Sequence, residues 1–250
     1  MVKVPEKYTG TANSQTFYQG HGFPGVIGCI DCTHVAIVAP GINDPEYPEH
    51  IYVNRKGYRS INVQLVCDPD LRIIHVNARF PGSTHDNYIL NNTNILPALK
   101  SINEYHGNGF YLLGDSGYPL RPWLLTPIND TRPGTPEAVY SDCLKKARSL
   151  IERYNGILKL RFRCLLKHKV LHYNPNTASK IINACVVLHN MCIQNGLPAP
   201  QQDEEKNEVD LGIYNHVPQV EDLNTNVRRA NPDLARGRAL QQHIIRSFFT

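Results

Sequence analysis

The sequence contains no run of about eighteen apolar residues, so no segment is built to cross a membrane as a helix. Its opening, MVKVPEKYTG, has no apolar stretch either, which argues against a secretory leader and leads to the expectation of a protein inside the cell. It lacks a Gly-rich phosphate loop, and with it the usual cradle for a nucleoside triphosphate. It lacks a Gly-x-Ser-x-Gly elbow, so serine-type hydrolysis is not expected, even though His85-Asp86 could pair for acid–base work. Internal repeats are absent. Zinc-finger spacing is absent too. Cys29-x-x-Cys32 with His34 finds no matching pair, and neither does the set Cys185, His189 and Cys192. The seven cysteines are an odd number, and most lie in apolar runs. Free thiols in a reducing compartment are therefore expected.

What is present is ordinary for a globular chain: 250 residues, 41% hydrophobic and 19% charged. That length suits one sizeable domain, or a domain with a tail. The net charge of +4 is mild, but its distribution is uneven. Lys145, Lys146, Arg148, Arg153, Lys159, Arg161, Arg163, Lys167 and Lys169 surround a single acid, Glu152. Residues 201–222 are instead rich in acids. The asymmetry suggests a surface facing a polyanion and a separate acidic linker, with a merely solvated helix face as the alternative. Tyr154, Phe162 and Tyr173 lie among the bases. Stacking on nucleotides is one use for them; core packing fits Tyr154 and Phe162 better, because both fall on an apolar stripe.

Along the chain, residues 1–22 read as a polar arm. GVIGCID and HVAIVAP read as strand, turn and strand around Asp31–Thr33. RSINVQLVCD and RIIHVNARF flank Asp68-Pro69-Asp70 and predict a hairpin. A short helix follows, with Ser83 or Thr84 as its cap. FYLLG and LLTPI are two brief buried strands. From Pro136 to Leu166 the residues Leu144, Ala147, Ile151, Tyr154, Leu158 and Phe162 recur at helical spacing, with Glu152 off that stripe beside Arg148 and Lys159. A second helix, residues 176–195, has a wide apolar face and is expected to be buried. A final helix spans residues 232–249, opened by Pro232. Early strands and later helices predict one mixed α/β domain over residues 23–197. An acidic linker and C-terminal helix would fill residues 198–250.

Asp31, Asp86 and Asp115 each fall where a strand is expected to stop or turn, and Glu152 lies on a helix. Carboxylates gathered together suit Mg²⁺ or Mn²⁺, hard cations that take oxygen ligands. Two such ions can activate a water and stabilise a leaving oxygen. Taken singly, each residue has a plainer reading: a turn aspartate, a helix cap, or a Glu152–Arg148 pair across one helical turn.

Four blocks in order, GVIGCIDCTHVAI, FPGSTHDNYIL, FYLLGDSGYPL and SLIERYNGILKLRFRCL, resemble those of the PIF/Harbinger transposase family. The resemblance runs from about Gly25 to Asn195. It implies an RNase H-like fold carrying a DDE acidic site, with Asp31, Asp115 and Glu152 catalytic and Asp86 a further metal ligand. It also implies a divalent-metal-dependent DNA endonuclease. Thr33, His34, His85 and Arg153 would support the site, and Arg148, Arg153, Lys159, Arg161 and Arg163 would hold DNA. A Myb-like DNA-binding partner and a nuclear setting, with the cytoplasm as a second location, come with the same resemblance. This sequence has Cys32 where the family usually has Gly, and Tyr154-Asn155 where it has Thr-Phe. A catalytically silent DNA- or protein-binding module of the same fold is the competing expectation.

Overall fold

The computed structural model describes residues 11–42, 44–105, 109–200 and 231–250. The described residues form five strands: β1 (Val26–Ala36), β2 (Ser60–Cys67), β3 (Ile73–Pro81), β4 (Tyr111–Leu113) and β5 (Leu124–Leu125). The helices are α1 (Thr11–His21), α2 (Glu49–Tyr52), α3 (Asp86–Asn91), α4 (Ile95–Tyr105), α5 (Pro136–Arg161), α6 (Pro175–Gln194) and α7 (Pro232–Phe248). The strands form one sheet in the order β3-β2-β1-β4-β5. The first three are antiparallel, while β4 and β5 run parallel to β1. This is the mixed α/β sheet, flanked by helices, that the four sequence blocks implied.

β1 is the middle of the sheet and the longest strand. It was expected to break near Asp31; instead it runs without a turn from Val26 to Ala36. The reason is its pairing: every residue from Cys29 to Ala36 has a partner on β2, and Asp31 lies opposite Leu65. Gly28 belongs to this design, because a Cβ there would sit 2.7 Å from the Cys67 carbonyl oxygen. The β2–β3 hairpin forms as expected. Asp68 closes it by accepting the Asp70 and Arg72 amides at 2.9 Å each, while Leu71 takes a left-handed φ of 60°.

One face of the sheet presents Cys29, Val35, Ile61, Val63 and Leu65. It packs on the stripe Leu144, Ala147, Ile151, Tyr154 and Leu158 of α5. Each such side chain contributes roughly 1.5–3 kcal/mol when fully buried. The other face sets Ile27, Ile30, Val66 and Leu112 against Leu90, Ile95 and Leu99 of α3 and α4. Thr135 caps α5 by accepting the Ala138 amide, and Pro136 follows at the first helical position. α5 is shorter than its apolar period suggested. It stops at Arg161, and residues 163–165 form one tighter turn.

α4 had no counterpart in the sequence reading. Residues 11–21 are a helix rather than an arm, with Phe17 fully buried. α7 also joins the core: Ile244 and Ile245 are buried, and Gln241 donates to the Thr126 carbonyl at 3.0 Å. α6 packs against β3, and its Asn190 bonds both backbone groups of Ile73. Its apolar face is only partly covered, because Val187, Leu188 and Met191 remain about half exposed. Neither Ser83 nor Thr84 caps α3; His85 holds the cap position with no side-chain bond. The acidic stretch 201–222 lies outside the described residues. No described helix is long and apolar enough to cross a membrane.

Candidate active site

Asp31 lies at mid-strand, on the same face of β1 as Cys29 and Val35, and so points at α5. Asp115 follows β4, the parallel neighbour of β1, and its Oδ1 accepts the Gly117 amide at 3.0 Å. Asp86 opens α3 and is buried; Asn62 of β2 donates to its Oδ1 at 3.0 Å and to the Thr84 carbonyl at 2.8 Å. Glu152 is the most exposed of the four, with 32% of its side chain accessible.

Arg148 joins them. Its Nη1 is 3.6 Å from Asp31 Oδ1, and its Nη2 pairs with Glu152 Oε1 one turn along α5. The side chains of Asp31 and Arg148 are each 13% exposed, so this is a sheltered ion pair. Burial works against the charge on Arg148, yet Asp31, Glu152 and Asp115 together hold its pKa above the ordinary value. Asp31 also receives a 3.5 Å contact from Asn155 Nδ2. Burial pushes the Asp31 carboxyl up to about 7. Arg148 opposes that shift, and the charges of Asp115 and Asp86 add to it. The other face of β1 carries Cys32, whose Sγ lies 3.3 Å from the Tyr118 hydroxyl. Burial raises the pKa of both groups, and Asp86 and Asp31 raise them further.

Of the four carboxylates expected from the sequence, Asp31 and Glu152 share the Arg148 guanidinium, and the charges of Asp115 and Asp86 bear on Asp31. Among the described residues, no three His, Cys, Asp or Glu side chains are close enough to form a ready ligand set. The donor chemistry nevertheless fits a hard divalent cation. The donors are all oxygens, and the buried acids repel one another, with one arginine as the neutralising charge.

The expected supporting residues divide. Lys159 is 1% exposed, and its Nζ donates to the His34 carbonyl at 2.9 Å, so it braces β1 from within. His34 Nδ1 meets Ser60 Oγ at 3.0 Å. Thr33 is buried, and its hydroxyl has no hydrogen-bond partner among the described residues. Arg161 donates to the Pro198 carbonyl. His85, Arg153 and Arg163 are exposed. Three contributors were not read from the sequence in these roles: Asn62, Asn155 and Tyr118. Asn155 had a signal, since it falls on the helix face of Arg148 and Glu152 at spacings of seven and three.

A mixed sheet in this order, with acids on its central strand, beyond the parallel strand beside it and on the helix across its face, defines an RNase H-like fold of the nuclease type. The chain belongs to the DDE superfamily endonuclease family, whose model matches residues 30–190. It is 40% identical over 183 residues to the human protein named "Putative nuclease HARBI1", an overlap of 72% of this chain and 50% of that one. Its likeness to the cattle protein of the same name is 39% over 203 residues, or 77% of this chain and 55% of the relative. The Arabidopsis thaliana "Protein ALP1-like" is 29% identical over 182 residues, 69% of this chain and 44% of that one. The chain thus spans about half the length of these curated relatives. No solved structure matches it.

Proposed function

We propose that this domain is a divalent-metal-dependent DNA endonuclease. The observation that carries this reading is the Arg148 guanidinium held by both Asp31 and Glu152, with the charges of Asp115 and Asp86 bearing on Asp31. Two acids paired with one arginine, and two more whose charge bears on the first of them, suit a site that exchanges that arginine for metal. Asp31, Asp115, Glu152 and Asp86 would hold Mg²⁺ or Mn²⁺. Bound there, such ions supply an activated water and charge stabilisation at the leaving oxygen of a phosphodiester.

The protein's own groups prepare the site. Gly117 N–H fixes one oxygen of Asp115, Asn62 fixes one oxygen of Asp86, and Asn155 faces the second oxygen of Asp31. Such outer hydrogen bonds orient acidic ligands and tune their basicity. Arg148 neutralises Asp31 and Glu152 until a stronger cation arrives. Arg153 and Arg163, both exposed, are free to meet the phosphate backbone, and a DNA substrate accords with a nuclear setting.

Nicking of supercoiled plasmid with Mg²⁺ or Mn²⁺ tests the reading. Asp115→Ala is expected to lower the rate by more than ~100-fold, since even outer-shell partners of a metal are worth 10–100-fold. Cleavage that survives this change would falsify the assignment. One observation favours a second reading, a silent binding module: Arg148 lies between Asp31 and Glu152, and among the described residues no ligand set is preformed. Calorimetry separates the two. Heat from Mn²⁺ that disappears in Asp31→Asn supports the enzyme. Salt-sensitive DNA binding without any Mn²⁺ heat supports the module.

A further inference from the structure

Between Glu152 and Asp203 the sequence has no acidic residue, yet it carries seven lysines and arginines. Several of these charges are spent inside the fold: Lys159 is buried on β1, and Arg161 holds the Pro198 carbonyl. Arg163 and Lys169, on the strap between α5 and α6 (residues 162–174), are not. Arg163, His168, Lys169 and His172 are exposed, and none of them has an ion pair among the described residues. Together with half-exposed Tyr173 they line an open cavity of about 640 Å³.

The strap is held firmly from beneath. Leu165, Leu166 and Leu171 are buried. Leu171 bridges Ile37 just past the end of β1: its N–H donates to the Ala36 carbonyl at 3.0 Å, and its carbonyl accepts the Val38 amide at 2.9 Å. Lys167 lies over the Tyr58 ring at 5.2 Å. The basic groove therefore has a fixed position relative to β1, and so to Asp31. Ile37 is six residues further along than Asp31. At about 3.3 Å per residue, the groove lies ~20 Å from the acidic centre.

We infer that this strap is a docking groove for the phosphodiester backbone of duplex DNA, engaged about six base pairs from the acidic centre. The base-pair figure follows from ~20 Å at 3.4 Å per step. The inference rests on the proposed nuclease reading for its substrate and adds where that substrate is gripped. Two unneutralised cations, Arg163 and Lys169, beside two exposed imidazoles in an open groove suit a repeating polyanion. A single small anion would need a closed site with buried donors, and the described lining is exposed. Tyr173 offers a ring to the sugar edge, and the bases are left unread, so the grip is independent of sequence.

The test uses the whole chain in EDTA, so that cleavage plays no part. A fluorescent 20-base-pair duplex is titrated at several salt concentrations against wild type and against the triple variant Arg163→Ala, Lys169→Ala, His172→Ala. The expected result is an affinity at least ~10-fold lower at moderate salt, with the slope of log K against log salt smaller by about 2. The melting temperature should stay unchanged. A variant that keeps its fold, affinity and slope overturns the groove, and so does a wild type that binds no duplex. Equal loss of binding to poly-glutamate overturns the DNA assignment in favour of a general acidic partner. Plasmid nicking with Mn²⁺ is measured alongside. If the variant binds DNA more weakly while wild type never nicks, the groove stands and the nuclease reading falls. If wild type nicks and the variant binds normally, the reverse holds.

Discussion

α5 and the strap that follows it carry basic residues at similar density, yet α5 commits two of them to the interior, while its Lys145, Lys146 and Arg153 stay exposed like the strap's Arg163 and Lys169. On α5, Arg148 turns into the acidic site and Lys159 is 1% exposed against β1. On the strap, Arg163 and Lys169 stand in solvent with no acid near them in sequence. A lysine that lies on the buried side of a helix becomes a brace. The same residue on an irregular segment anchored by three leucines becomes a surface. Counting charges in a window cannot tell these apart, because burial decides it.

The comparison can be broken most directly at Lys159. Lys159→Ala removes a charge-assisted hydrogen bond and its buried stem, and is expected to cost about 3 kcal/mol in denaturant unfolding. Lys159→Met should recover part of that by restoring the packing. A loss below ~0.5 kcal/mol would place Lys159 with the strap residues.

The second test concerns His189, which α6 buries completely against Tyr154, with ring centroids 4.7 Å apart. Neither ring nitrogen has a hydrogen-bond partner among the described residues. Burial first, and Arg161 second, push its pKa down to about 4. The unfolded chain takes up this proton near the ordinary value of 6.5, so the unfolded state binds more protons between those limits. The contribution is fully present above pH 6.5 and is lost as the pH falls through 4. It amounts to up to ~3 kcal/mol. His189→Phe should flatten the stability–pH profile in that window; an unchanged profile would show that His189 does not enter the fold as a buried neutral imidazole. His75, also buried toward a pKa of about 4, supplies the residual slope.

Arg148→Ala comes third. It leaves Asp31 and Glu152 without their cation, and is expected to cost roughly 1–3 kcal/mol in metal-free buffer. Millimolar Mn²⁺ should restore more stability to this variant than to wild type, measured as a shift in melting temperature. The smallest effect belongs to Lys169→Ala, whose stability should stay within ~0.5 kcal/mol of wild type. A larger loss would mean that the strap, too, spends its charge on the fold.

Much of this was legible in the residues. The hairpin was written in Asp68-Pro69-Asp70, and the α5 stripe and Thr135-Pro136 start were written in their spacing. The acids proposed for the site stand out as members of ordered blocks rather than singly. What stayed hidden depends on tertiary partners. β1 looked interrupted because Asp31 and Thr33 are polar, and only its full pairing with β2 makes an aspartate at mid-strand acceptable. α5 looked longer because Phe162 keeps the apolar period, although the helix ends one residue before it. α1 looked like an arm because Phe17 is a buried anchor among polar neighbours. Asn62 and Asn155 carry no chemical signature, and their value lies in the oxygens they face.

The aromatic cluster at the edge of the core has a consequence for how the chain folds. Tyr18 meets Phe248 at a centroid distance of 6.4 Å, and Phe23 meets Phe249 at 5.3 Å. These contacts join the two ends of the described chain, and closing a loop of that length has an entropic cost that grows with its logarithm. α1 and α7 should therefore dock after the central sheet has formed. Mutations in the cluster, such as Phe249→Leu, should speed unfolding while leaving the folding rate nearly untouched.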